Sequence, residues 1–429
     1  MPGKWSRLSG LTKVSSQSSD CDRHRVRFNA EFLQVKSLPR TVVVLGWVSF
    51  FTDVSSEMIY PLLPLFLSTV LGASVMQLGL IEGFAESTSS LLKVVSGVWT
   101  DRAQFRKPFI VFGYGLAGLV RPLIGLAGGW STVFGLRFLD RVGKGVRSSP
   151  RDALIADVTA KENRGAAYGF HNSMDHAGAM LGPLVAGALL KFMGLPLRQV
   201  FLWAGVPAVI AWLVLVLGIR EKARGANPGP VPEAFHFLRD WNLLGRDFKC
   251  FLLAMFVFTL GNSTDAFLLI RLSQAGISAG MIAMLWSALH FVKMTSTYYG
   301  GKTTDRVGRR VMVVSGWAFY ALIYLGFGLV HSPGVLIALF LTYGIYFGLS
   351  EPAEKAWIAD LVPANLRGTA FGYFQSGVGL AALPASVIFG MIWQKWGVSA
   401  AFVTGATLAA VASLLLFFIK EDHPDPVIV

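Results

Sequence analysis

Charge is what this chain has least of. Only 15% of its 429 residues are Asp, Glu, Lys or Arg, against 53% hydrophobic, and so little charge cannot cover the surface of a water-soluble domain. It has two cysteines, Cys21 and Cys250, far apart in sequence, which argues against a disulfide framework and a thiolate metal site. There is no His-x-x-x-His or Cys-x-x-Cys spacing, no nucleophile elbow and no phosphate-binding loop. Neither a metal, a cofactor nor an enzyme's reaction centre is therefore expected. The first 40 residues are polar and basic and lack an apolar core followed by a small-residue cleavage site, so they do not read as a signal peptide.

What the chain has in abundance is apolar length. Crossing a hydrocarbon core of about 30 Å takes roughly 20 residues as helix, and mean hydropathy is +0.55. Spans are expected at 41–67, 76–97, 108–127, 131–150, 166–190, 199–218, 248–270, 278–300, 311–330, 334–357, 369–393 and 398–419. The expected fold is all-α integral membrane, with about twelve transmembrane helices. Alternate connections hold Arg102, Arg106, Lys107, Lys161, Arg164, Arg220, Lys222, Arg224, Lys302, Arg306, Arg309, Arg310 and Arg367, whereas the others hold only Lys191, Arg198, Arg271 and Lys395. Basic loops are retained in the cytoplasm, so a multi-pass protein of the cytoplasmic (inner) membrane with both termini inside is expected. The net charge of +13 is then topological and needs no nucleic acid.

Two segments recur at nearly one spacing. Gly97 to Arg102 (GVWTDR) returns as Gly301 to Arg306 (GKTTDR), placing Asp305 204 residues after Asp101. Ile155-Ala156-Asp157 with Arg164-Gly165 returns as Ile358-Ala359-Asp360 with Arg367-Gly368, 203 residues on. Between the copies, Glu221 to Arg246 is rich in Gly, Pro and charge and reads as a linker. The expected organisation is an N-terminal tail (1–40), a six-helix bundle (41–218), a linker (219–246), a second six-helix bundle (247–419) and a C-terminal tail (420–429). Two pseudo-symmetric bundles that rock about a central cavity suit alternating access.

Four motifs make this chain resemble the major facilitator superfamily over residues 41–419. The family's Gly-x-x-x-Asp-Arg-x-Gly-Arg-Arg loop is complete at Gly301, Asp305, Arg306, Gly308, Arg309 and Arg310. It is partial at Gly97, Asp101, Arg102, Arg106 and Lys107. The resemblance implies a latch on the cytoplasmic face, to which Arg147 and Arg151 are added as gate candidates. The fourth span, from Arg137 to Gly145, resembles the family's Arg-x-x-Gln-Gly-x-Gly-x-Gly element, with Asp140 and Arg141 in place of Gln and Gly. Gly178, Gly182, Pro183 and Gly187 on the fifth span are similar to the signature of the family's antiporters. Pro61 and Pro64 resemble the paired prolines of its drug:proton exporters.

Ionisable residues inside a membrane are costly and mark function by default. Asp53 and Glu57 lie four apart on one face of the first span, and Thr52-Asp53 is loosely matched by Thr264-Asp265. Asp53, Glu57 and Asp265 are therefore the candidates for proton coupling. Arg137, Asp140, Arg141, Lys144, His171, Asp175, His290, Lys293, Glu351 and Glu354 are the candidates for a solute cavity. The repeat aligns Arg151 with Glu354, so a basic patch in one half is expected to face an acidic patch in the other. The expected function is a proton-coupled antiporter exporting a small organic solute, with a symporter or lipid-type flippase as the alternative. The expected partners are a small solute, protons and membrane lipids, and the expected working unit is a single chain.

Overall fold

A computed structural model describes residues 38–63, 66–73, 75–221, 241–277 and 279–419. The expected tails up to residue 37 and from residue 420, the middle of the linker and Pro64 lie outside these residues. The helices follow the sequence spans in order: α1 (Arg40–Glu57), α2 (Val75–Arg102), α3 (Lys107–Leu123), α4 (Trp130–Val158), α5 (Arg164–Phe192) and α6, split into α6a (Leu197–Trp203) and α6b (Gly205–Gly218). The second set is α7, broken into α7a (Arg246–Gly261) and α7b (Ala266–Gln274), then α8 (Ala279–Val307), α9 (Arg309–Leu329), α10 (Pro333–Leu361), α11 (Arg367–Trp396) and α12 (Val398–Leu415). No strand occurs among the described residues.

Seven helical stretches among the described residues are each long and apolar enough to cross a membrane unaided, namely those of α1, α3, α6, α9, α10, α11 and α12. The helices left over are α2, α4, α5, α7 and α8. Helix α4 alone carries Arg137, Asp140, Arg141, Lys144, Arg147, Arg151 and Asp152, which no lipid-facing helix can hold. Such helices are stable only where they face protein or a polar cavity, and α2, α4, α5 and α8 all help to form the contact between bundles. There α5 lies along α8 and α2 along α11, two contacts that the repeat relates to each other. The basic loops of both bundles emerge on one face, called here the basic face.

Candidate functional site

On the basic face each repeat ends its second helix in a glycine and an acid. A Cβ built on Gly97 would stand 2.1 Å from the Gly368 carbonyl oxygen, and one on Gly301 2.3 Å from that of Gly165. Only glycine admits so close a backbone. The approach brings each acid to the first turn of a helix in the other bundle, where backbone N–H groups lack intrahelical partners. Asp101 accepts the N–H groups of Gly368 at 2.8 Å and Thr369 at 2.6 Å. Asp305 accepts those of Gly165 at 2.8 Å and Ala166 at 2.7 Å.

Salt bridges extend both latches. Arg106 joins Asp101 at 2.8 Å to Asp157 at 3.0 Å, and Arg367 crosses from the other bundle to Asp157 at 2.8 Å. In the second copy Arg309 joins Asp305 at 3.1 Å to Asp360 at 3.2 Å, while Arg164 crosses to Asp360. Burial pushes both latch carboxyls up, Asp305 to about 6, against the downward pull of the N–H donors and arginines beside them. Glu221, at the start of the linker, accepts the N–H groups of Arg106 and Lys107 at 2.8 and 2.7 Å and so caps α3. Of the other gate candidates, Arg310 donates to the Phe417 carbonyl at 3.1 Å and ties α9 to the end of α12. Arg102 is half-buried and Arg306 exposed at the ends of α2 and α8.

Deeper in the first bundle, Asp140 is fully buried and is ringed by cations of its own bundle. It pairs with Arg121 at 2.7 Å and Arg137 at 3.1 Å and accepts the Tyr60 hydroxyl at 2.5 Å. The Arg137 guanidinium lies 3.9 Å and that of Arg141 5.6 Å from the Tyr60 ring centre. A carboxylate so enclosed holds α1, α3 and α4 together. Asp140 and Arg137, both solute-cavity candidates, are thus buried and paired with one another inside the first bundle. Arg121 and Tyr60 were not anticipated, although an arginine inside the apolar third span was visible.

Arg147 lies over the Tyr114 ring at 4.2 Å, and Arg151 reaches Asp152 at 2.9 Å and Tyr114. Glu354 accepts the Trp317 indole N–H at 2.8 Å. The expected meeting of Arg151 with Glu354 does not occur, since each is satisfied inside its own bundle. Asp265 sits in the break of α7, paired with Lys293 at 3.3 Å and accepting the Tyr343 hydroxyl at 2.8 Å. Lys293 in turn lies 3.7 Å from the Phe347 ring centre. His290 stands 5.7 Å, ring to ring, from His176, and Glu351 accepts from Asn172 at 3.1 Å. His171 is fully buried, 3.7 Å from Asp175, and neither of its ring nitrogens has a hydrogen-bond partner among the described residues. Lys144 is half-buried on α4, one turn beyond Asp140.

The antiporter-like glycines of α5 meet α1 at the proton-coupling candidates. A Cβ on Gly178 would lie 2.4 Å from the Phe50 carbonyl oxygen and 2.9 Å from the Asp53 Cβ, and one on Gly182 2.7 Å from the Glu57 Cβ. Pro183 follows inside the helix, whereas Gly187 has nothing within 4 Å. Asp53 and Glu57 are half-buried. Among the described residues neither carboxylate has a hydrogen-bond or ion-pair partner, in contrast to Asp140, Asp152 and Asp265.

The model of the Major Facilitator Superfamily matches residues 45–289 and 251–428. The chain belongs to this superfamily. It is 33% identical over 394 residues to an uncharacterized MFS-type transporter of Methanocaldococcus jannaschii, covering 90% of this chain and 96% of the relative. It is 24% identical over 403 residues to the fosmidomycin resistance protein of Escherichia coli, covering 89% and 94%. Among solved structures it is similar to the E. coli fucose:proton symporter FucP, with a TM-score of 0.76 at 13% identity over 90% of this chain and all of that one. The latches and the buried network therefore belong to a multi-pass membrane transporter of small solutes.

Proposed function

We propose that this transporter is a proton-coupled antiporter that exports a small organic solute by alternating access, with the basic face and both termini in the cytoplasm. One observation carries the reading: Asp53 and Glu57 share one helical face of α1, beside an arginine cluster, with no partner of their own among the described residues. A bare carboxylate at mid-membrane costs about 2.5 to 3.5 kcal/mol on insertion scales. A proton removes that cost, and so does a cationic group brought near by a solute or by helix movement. Exchange between those two ways of neutralising one site is antiport. The seating of Gly178 and Gly182 at these two residues supports it, because any shift of α5 moves the carboxylates. The name of the E. coli relative, a fosmidomycin resistance protein, supports export. On this reading the two engaged latches close the basic face.

The test uses purified chain in liposomes, an imposed pH gradient, a panel of small organic solutes and a pH-sensitive dye. Antiport gives solute and proton movement in opposite directions, symport in the same direction. Asp53→Asn, which mimics the protonated form, loses uphill transport and keeps solute exchange. If it accumulates solute normally, the role passes to Glu57 or Asp265. Uphill transport by the triple neutral variant would end the carboxyl-coupling reading.

A further inference from the structure

Above the latches two further contacts join the bundles, and the repeat relates them. The Gln375 side-chain amide on α11 donates to Asp152 Oδ2 on α4 at 2.6 Å. Lys355 Nζ on α10 donates to Asn172 Oδ1 on α5 at 2.8 Å. Adding 203 to 152 gives 355, and adding it to 172 gives 375, so the contacts are one pair seen twice with the sign of the charge reversed. An amide suits both, because its NH₂ serves a carboxylate and its carbonyl serves an ammonium. Asn172 uses its other end as well, donating to Glu351 at 3.1 Å. Asp152 is fully buried and Asn172 nearly so. Arg151, Lys355 and His171, from α4, α10 and α5, all act electrostatically on Asp152.

We propose that these two amide-to-charge pairs form a second closure of the basic face, deeper than the latches and separate from them, with Gln375 and Asn172 as its positioning residues. Asp152 precedes Asp157 by five residues, and Asn172 and Gln375 follow Gly165 and Gly368 by seven, which sets the pairs about 7 to 10 Å further along their helices than the latches. No residue is shared between the two levels. The deeper bonds exist only while α4 touches α11 and α5 touches α10, so parting the bundles on this face breaks them all. Hydrogen bonds to charged groups are among the stronger ones a protein makes. Releasing the latches alone therefore leaves the path shut. This inference rests on alternating access and is independent of proton coupling and of the direction of transport.

The test measures the distance between spin labels on Glu162→Cys and Asn365→Cys, two exposed positions equivalent under the repeat, in the full chain with Cys21→Ser and Cys250→Ser. Gln375→Glu sets a second carboxylate against Asp152 and is expected to move the open-to-closed ratio about tenfold toward open. Gln375→Lys makes an ion pair and is expected to move it toward closed. Asn172→Leu, which removes the other pair, is expected to follow Gln375→Glu. Opposite shifts from the two Gln375 variants support the closure, and the Lys variant keeps the test decisive where the Glu variant folds poorly. Both variants leaving the distances as in the parent, or both shifting them the same way, overturns it.

Discussion

Gly97 and Gly368 meet backbone to backbone across the two bundles, with room for no methyl group on Gly97. The contact lets Asp101 reach the first turn of α11, so sterics and electrostatics on this face depend on one another. Gly97→Ala should force backbone apart at a cost of about 1 to 3 kcal/mol. Labels on the basic face should then report the open form in excess, while Gly135→Ala, with nothing within 4 Å, should leave the distances unchanged.

The second latch should respond to pH. Burial holds Asp305 at about 6 with the face closed, against an ordinary 3.8. A carboxyl with the higher pKa in the closed form binds its proton more tightly there, so this contribution to closure is full below 3.8 and is lost as pH rises through 6. The ratio of closed to open should rise on acidification across that window. Asp305→Asn should flatten the response, and an unchanged slope would show that Asp305 is not its source.

Asp140 should matter more to stability than to solute recognition. Removing its charge with Asp140→Asn takes the carboxylate from the buried Arg121, which should cost about 3 to 5 kcal/mol, read by thermal unfolding in detergent. Tyr60→Phe removes one hydrogen bond to the same carboxylate and should cost about 1.5 to 3 kcal/mol. Solute competition curves should be unchanged in whichever variant folds.

The three antiporter-like glycines should not be equivalent. Gly182→Ala places a methyl group against Glu57 and Gly178→Ala one against the Phe50 carbonyl. Both should slow pH-driven transport severalfold by displacing the acids of α1. Gly187→Ala should be silent, because that position faces open space. Equal losses at all three would mean the helix works through a different face.

The sequence carried the architecture because hydropathy and the repeat are one-dimensional signals. Asp101 and Asp305 were legible from their duplicated surroundings. Their partners were less so, since Gly368, Thr369, Gly165 and Ala166 become partners only once the helices that touch are known. The repeat also misled at Arg151 and Glu354. Equivalent residues occupy the same place in their own bundles, and contact across the cavity joins non-equivalent helices, as Asp152 of α4 with Gln375 of α11 shows. Arg121 was within reach: an arginine between Val120 and Pro122 in an apolar span demands a buried counter-ion.

The two latches are crossed, each acid of one repeat gripping the helix that begins the fifth span of the other. Two grips on either side of a twofold axis resist twisting as well as separation. With both in place the halves can only tip apart together, like a see-saw about the cavity. With one removed, the survivor becomes a pivot and the face swings open on one side like a door, so a single latch variant should give a lopsided mouth and not merely a wider one.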